Sequence, residues 1–166
     1  MISPSEVHSV AKKMEQENFR FRTFLKNHAD PDELDRQFLE LHQELFHGYD
    51  CCQCANCCRA FNPVLEDQEI ESISAFLEMD KDMFIQEYLT AGSEGYELKA
   101  PCRFLESDGK CRIQKCKPAQ CKGFPYTDKP ERLFSLYSVL SFAEECPIVF
   151  EILQRLKRMY HFRSRR

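Results

Sequence analysis

Leu34, Phe38, Leu41 and Leu45 recur at steps of three and four residues, which places them on one side of a helix that should end near Gly48. Its start is marked by Asp30-Pro31-Asp32-Glu33, a capping side chain followed by proline at the first helical position. Ser3-Pro4-Ser5-Glu6 repeats that signature, so a first helix is predicted from there to about Asn27. Residues 1–47 therefore read as an N-terminal helical hairpin packed on the core. Glu66 to Glu78 carries Ile70, Ile73 and Leu77 at helical spacing, and Asp80 caps a shorter helix through Phe84, Tyr88 and Leu89. From Ala91 to Lys129 the helical period is lost; glycines, prolines and cysteines replace it. It returns from Glu131 to Ala143, and again after Cys146-Pro147, where Ile148, Ile152, Leu153, Leu156 and Tyr160 share a face. These elements predict a mainly α, small single domain whose helices flank irregular Cys-rich loops that bind metal, with no internal repeat and no low-complexity tract.

Composition narrows the class. The chain has 166 residues, 43% hydrophobic and 30% charged, a net charge of −4, a pI of 5.8 and a mean hydropathy of −0.52, values of a soluble globular domain. No run approaches the roughly 18 apolar residues that would cross a bilayer, so no membrane is expected. Met1-Ile2-Ser3-Pro4-Ser5-Glu6-Val7-His8 lacks the basic and apolar regions of a secretory signal. The expected compartment is the reducing cytoplasm, where ten cysteines read as metal ligands rather than disulfides.

Five of the eight residues from Cys51 to Cys58 are cysteines, and Cys51, Cys54 and Cys57 fall at every third position. A loop with that rhythm can turn three sulfurs toward one point, and thiolates so crowded need a cation to neutralise them. Cys102, Cys111, Cys116 and Cys121 follow in the second irregular stretch, and Cys146 precedes Pro147. Three cysteines at i, i+3 and i+6 with a remote Cys-Pro match the ligand pattern of ferredoxin-like [4Fe–4S] sites. Structural zinc more often joins two Cys-x-x-Cys knuckles, and only the first segment shows that repeat. The ligand set selects Fe–S, Zn2+ or copper(I) over magnesium or calcium, and ten thiols imply two centres or one multinuclear cluster with spare thiols.

Cys51-x-x-Cys54-x-x-Cys57-Cys58, Pro101-Cys102-Arg103-Phe104-Leu105, Gly109-Lys110-Cys111-Arg112-Ile113, Lys117-Pro118-Ala119-Gln120-Cys121-Lys122-Gly123-Phe124-Pro125 and Cys146-Pro147 occur in that order. In these motifs the chain resembles the YkgJ-type CxxCxxCC cysteine-cluster family, whose members are described as zinc- or iron-chelating proteins. The resemblance spans roughly residues 48–150, the expected metal-binding domain, and leaves 151–166 as a C-terminal helix end and basic tail. It implies a ligand set of Cys51, Cys54, Cys57, Cys58, Cys102, Cys111, Cys121 and Cys146, with Cys52 and Cys116 as extras. Lys117-Pro118 stands where the family usually has Arg-Pro, and Gln114 where it has an aromatic. Lysine keeps the charge without the planar fork of arginine, which puts in doubt any bidentate contact inferred there. Flagellin lysine methylases carry a related cluster, so the module also occurs within enzymes.

The remaining candidates are weighed against plainer roles. His42 and His47 precede the cysteines, yet the thiols already suffice as ligands. Cys52 and Cys116 read as spare or buried thiols first and as redox-active thiols second. Arg155, Lys157, Arg158, Arg163, Arg165 and Arg166 form a cationic end suited to the negative pole of a helix, and the acidic pI argues against a dedicated nucleic-acid binder. Phe19, Phe21, Phe24 and Leu25 read as core rather than a partner-binding face. Glycine occurs only at positions 48, 92, 95, 109 and 123, so no P-loop or dinucleotide turn exists, and G-x-S-x-G and H-E-x-x-H are missing. The leading expectation is a metal-binding protein whose partners are a metal ion or cluster and a protein. An Fe–S-dependent redox or protein-modifying enzyme comes second, and a zinc-ribbon-like nucleic-acid adaptor third.

Overall fold

In the computed structural model, which describes residues 1–163, the chain is mainly α-helical with one small sheet. It divides into two compact units: a helical unit of residues 1–49 and 125 onward, and a cysteine-bearing unit of residues 50–124.

The helical unit contains α1 (Val7–Lys13), α2 (Glu15–His28), α3 (Pro31–Phe46), α9 (Arg132–Phe142) and α10 (Pro147–Met159). The helix predicted to run unbroken from Ser3 is two helices, broken at Met14, and α1 begins only after a turn in which the Ser3 carbonyl accepts from Glu6 N and Val7 N. The start of α3 is as its sequence predicts: the Asp30 carboxylate accepts from Glu33 N at 2.9 Å with Pro31 in the first turn. Leu34, Phe38, Leu41 and Leu45 are all buried, and the helix they line packs on both α9 and α10. Burying each such side chain stabilises the fold by about 1.5–3 kcal/mol. Phe21 and Leu25 join the same core, whereas Phe19 is 40% exposed.

The α9 helix has no cap of its own, since Glu131 lies at φ 63°. Asp35 of α3 supplies one, accepting from Glu131 N at 2.7 Å and Arg132 N at 2.8 Å. The buried Arg132 guanidinium turns back to the Tyr126 and Pro130 carbonyls, so buried donors meet acceptors throughout this turn. In α10 the basic side chains are spent on ion pairs: Arg155 with Glu44 and Glu151, Arg158 with Glu151, and buried Lys157 with Glu17 at 2.6 Å and Asn18 Oδ1 at 2.7 Å. Arg165 and Arg166 of the cationic end lie outside the described residues.

The cysteine-bearing unit holds α4 (Cys51–Cys54), α5 (Asn56–Ala60), α6 (Asp67–Phe76), α7 (Lys81–Tyr88) and α8 (Ala119–Gly123). Strands β1 (Val64–Leu65), β2 (Leu89–Ala91) and β3 (Tyr96–Leu98) form an antiparallel sheet in the order β1-β3-β2. A reciprocal capping box between Glu66 and Glu69 starts α6, and the Asp80 carboxylate caps α7. Leu65, Ile70, Ile73, Phe84, Tyr88, Leu89, Leu98, Phe104 and Ile113 make the core. Within it Tyr88 stacks on Phe84 and Phe104, with ring centroids 5.3 and 4.8 Å apart. Leu89, expected as a helix end, is the first residue of β2. No helix among the described residues is long and apolar enough to cross a membrane.

Candidate metal centre

The first cysteine run is helical rather than a loop. The Asp50 carboxylate accepts from Cys52 N at 2.9 Å and opens α4, one turn later Ala55 N donates to the Cys51 carbonyl, and Ala55 then swings to φ 52°. That left-handed residue breaks what would be a continuous helix and starts α5 in a new direction. Arg59 Nη1 donates back to the Cys54 carbonyl at 2.9 Å and holds the corner. The two halves of the motif consequently differ in exposure: Cys51 and Cys52 are exposed, while Cys57 and Cys58 are half-buried.

The second segment is tied to the first through backbone. Cys102 N donates to the Cys58 carbonyl at 2.8 Å. From there the chain makes a tight hairpin: Arg112 N donates to Phe104 O, Glu106 N to Lys110 O, and Leu105 bridges Cys111. Gly109 turns the hairpin at φ 84°, in van der Waals contact with the Cys52 carbonyl on the side where any other residue carries its Cβ. Arg103 and Arg112, the residues after Cys102 and Cys111, lie over the Tyr88 and Phe104 rings at 4.8 and 5.2 Å. A 3-10 turn (Gln114–Cys116) carries Cys116, and α8 carries Cys121. The entry to α8 is fixed by Glu69, which accepts from Ala119 N at 2.6 Å, and by Gln120, whose side-chain oxygen accepts from Val64 N at 3.0 Å.

Cys57, Cys58, Cys102, Cys111 and Cys121 thereby line one cleft of about 40 Å3, with Phe61, Pro63, Leu98, Ile113, Pro118 and Phe124 as its apolar walls and Lys117 as its cation. Pockets that enclose drug-sized ligands run to roughly 300–1,000 Å3, so this cleft suits an ion or small inorganic group. Cys51 and Cys54 lie on α4 outside its lining. Cys146 belongs to the helical unit, where it stands at the N-cap of α10 and packs partly buried against the core. None of the ten cysteines is in a disulfide. Among the described residues no three His, Cys, Asp or Glu side chains are yet gathered as a group that could hold a metal ion. The donor chemistry nonetheless fits a soft metal, since every candidate ligand in the cleft is sulfur.

The thiols differ in acidity. A hydrogen bond from Cys57 brings Cys58 down to about 6, with Lys117 and Arg59 adding to the effect and burial opposing it. Burial pushes Cys121 up to about 12, and also raises Cys102 and Cys111. Cys58 thus gives up its proton more readily than Cys102, Cys111 or Cys121, and those three must lose theirs as they bind. His42 is held elsewhere: its Nδ1 lies 2.8 Å from Thr127 Oγ1 and its ring against Phe46, while His47 is exposed. Of the cleft's apolar walls, Phe61, Pro63 and Leu98 had no signal in the sequence, whereas Ile113, Pro118 and Phe124 stood within the quoted motifs without a role, as did Gly109, and Lys117 stood there as a departure from Arg-Pro.

No solved structure matches this chain. A family model described as "CxxCxxCC: Putative zinc- or iron-chelating domain" matches residues 50–147, more than half of the chain and all of the cleft. The thiol cleft therefore lies wholly within the matched region, and the chain belongs to the CxxCxxCC family.

Proposed function

We propose that this protein binds a thiophilic metal, an iron–sulfur cluster or Zn2+, in the cleft of its cysteine-bearing unit. The observation that carries the reading is the convergence of five thiols from α5, the hairpin and α8 on one small apolar cleft that also contains Lys117. Four thiolates complete a tetrahedral zinc site or the ligand set of a [4Fe–4S] cluster. The lysine offsets part of the negative charge that such a set accumulates, and the apolar wall keeps water from competing for the metal. The reading places the protein in the reducing cytoplasm, where these thiols stay free to bind.

Because Cys102, Cys111 and Cys121 are harder to deprotonate than an ordinary thiol, affinity must fall on acidification as protons compete for the same sulfurs. Purification without oxygen, followed by an optical spectrum and metal and sulfide analysis, tests the function. A brown protein with iron and sulfide identifies the cluster, and a colourless one with stoichiometric zinc identifies the ion. Protein that takes up neither after reconstitution overturns the proposal.

A further inference from the structure

A second cleft, of about 360 Å3, lies within the helical unit at the end of α10. Lys157, Arg158 and Arg163 set three positive charges along it against the single carboxylate of Glu17, in a chain whose net charge is −4. Arg158 shares the Glu151 carboxylate with Arg155, and Arg163 has no carboxylate partner among the described residues. Lys157 is 7% exposed, and of its three N–H donors two are taken, by Glu17 Oε1 and Asn18 Oδ1. Gln154 lines the same cleft, and its Nε2 is buried with no hydrogen-bond partner. Buried donors without acceptors are rare in a folded chain, so spare donors in a cationic cleft point to an anion that completes them. The turn that frames the cleft is firmly held. His161 takes the left-handed φ of 48° that residues other than glycine adopt rarely. Phe162 N donates to the Lys157 carbonyl at 2.9 Å, and its ring lies 5.0 and 5.4 Å from those of Phe21 and Phe24. The carbonyls of Leu156, Lys157 and Arg158 each accept a backbone N–H in this turn, which answers much of the negative end of the helix.

We propose that this cleft binds a phosphate group, carried by a soluble compound or by a lipid headgroup. The inference stands independently of the metal-binding reading above. Arg158 and Arg163 present planar forks that match pairs of phosphate oxygens. The remaining donors of Lys157 and Gln154 address an oxygen on the buried side. A phosphate monoester has three free oxygens to meet these groups, where a carboxylate has two.

The test titrates the full chain with inorganic phosphate, against sodium chloride of matched ionic strength, and reads the backbone amide shifts of residues 154–163. Saturable shifts there are the expected result, and R158Q/R163Q should weaken binding by about tenfold while leaving the thermal midpoint unchanged. Gln154→Leu removes a donor that no protein group accepts from, so it should weaken phosphate binding without lowering the midpoint. K13Q/K26Q removes the same charge from exposed positions outside the cleft and should leave the affinity as it was. An absence of saturation overturns the proposal by showing that there is no site. Equal weakening by K13Q/K26Q and R158Q/R163Q overturns it by reducing the effect to net charge. Co-sedimentation with phosphatidylcholine vesicles doped with phosphatidic acid separates the two sources. Capture that R158Q/R163Q abolishes assigns the phosphate to a lipid headgroup, and phosphate binding without vesicle capture assigns it to a soluble compound.

Discussion

Gly109 lets the second cysteine segment come close to the first at Cys52. Its positive φ and its contact with the Cys52 carbonyl each exclude a side chain. Gly109→Ala should lower stability by about 1–3 kcal/mol and reduce metal content, read from a urea midpoint and from metal analysis of the same preparation. A variant with unchanged midpoint and metal would show that the hairpin can withdraw from Cys52 at no cost. His42 offers a prediction of pH dependence. Burial lowers its pKa below the ordinary 6.5, with Asp128 working against that and Lys129 with it. The unfolded chain therefore binds the proton more readily than the folded one, so stability rises with pH through this interval. The contribution is complete above about 6.5 and is lost as the pH falls through the depressed folded value. A His42→Gln variant should unfold at a midpoint that varies less between pH 7 and pH 5 than that of the unmodified protein. Equal slopes would assign the acid sensitivity to other groups.

Among the elements, α3 and α9 show what a sequence can and cannot reveal. Asp30 caps its own helix three residues away, a local interaction that the order of residues displays directly. Asp35 caps α9 across a gap of 96 residues, and nothing near Glu131 in the chain announces it. Asp35→Ala should cost about 1–2 kcal/mol by orphaning two backbone donors at a helix start, and Asp35→Asn should recover part of it, both measured by thermal unfolding. Equal stability of all three would mean that water satisfies the α9 terminus. The same distinction governs the rest of the fold. Long helices were legible because Leu34, Phe38, Leu41 and Leu45 keep a period. The sheet was not, because strands of two and three residues such as Val64–Leu65 are too short to show alternation. The spacing of the cysteines revealed a soft-metal chemistry, but not which thiols share a cleft. That depends on Ala55, a strong helix former by composition that here takes a left-handed backbone.

At the scale of the molecule, the two units differ in how they are held. The helical core contains eighteen buried apolar residues and the cysteine-bearing core nine, counted among the described residues. Structural zinc in small peptides contributes on the order of 10–16 kcal/mol, comparable to the stability of a whole domain. Metal removal should therefore raise hydrogen exchange in residues 50–62 and 100–124 while α3 and α10 keep their protection. Uniform loss across both regions would show that the helical unit depends on the metal as well, and no change in either would remove the metal from the folding argument. The division of the chain has a further consequence for the speed of folding. The cysteine-bearing unit lies between the two stretches that form the helical unit, so α3 meets α9 and α10 only by closing a loop that contains that whole unit. Such a closure costs entropy that grows slowly with loop length, and contacts this distant in sequence make the helical core slower to form than its helical content alone would suggest.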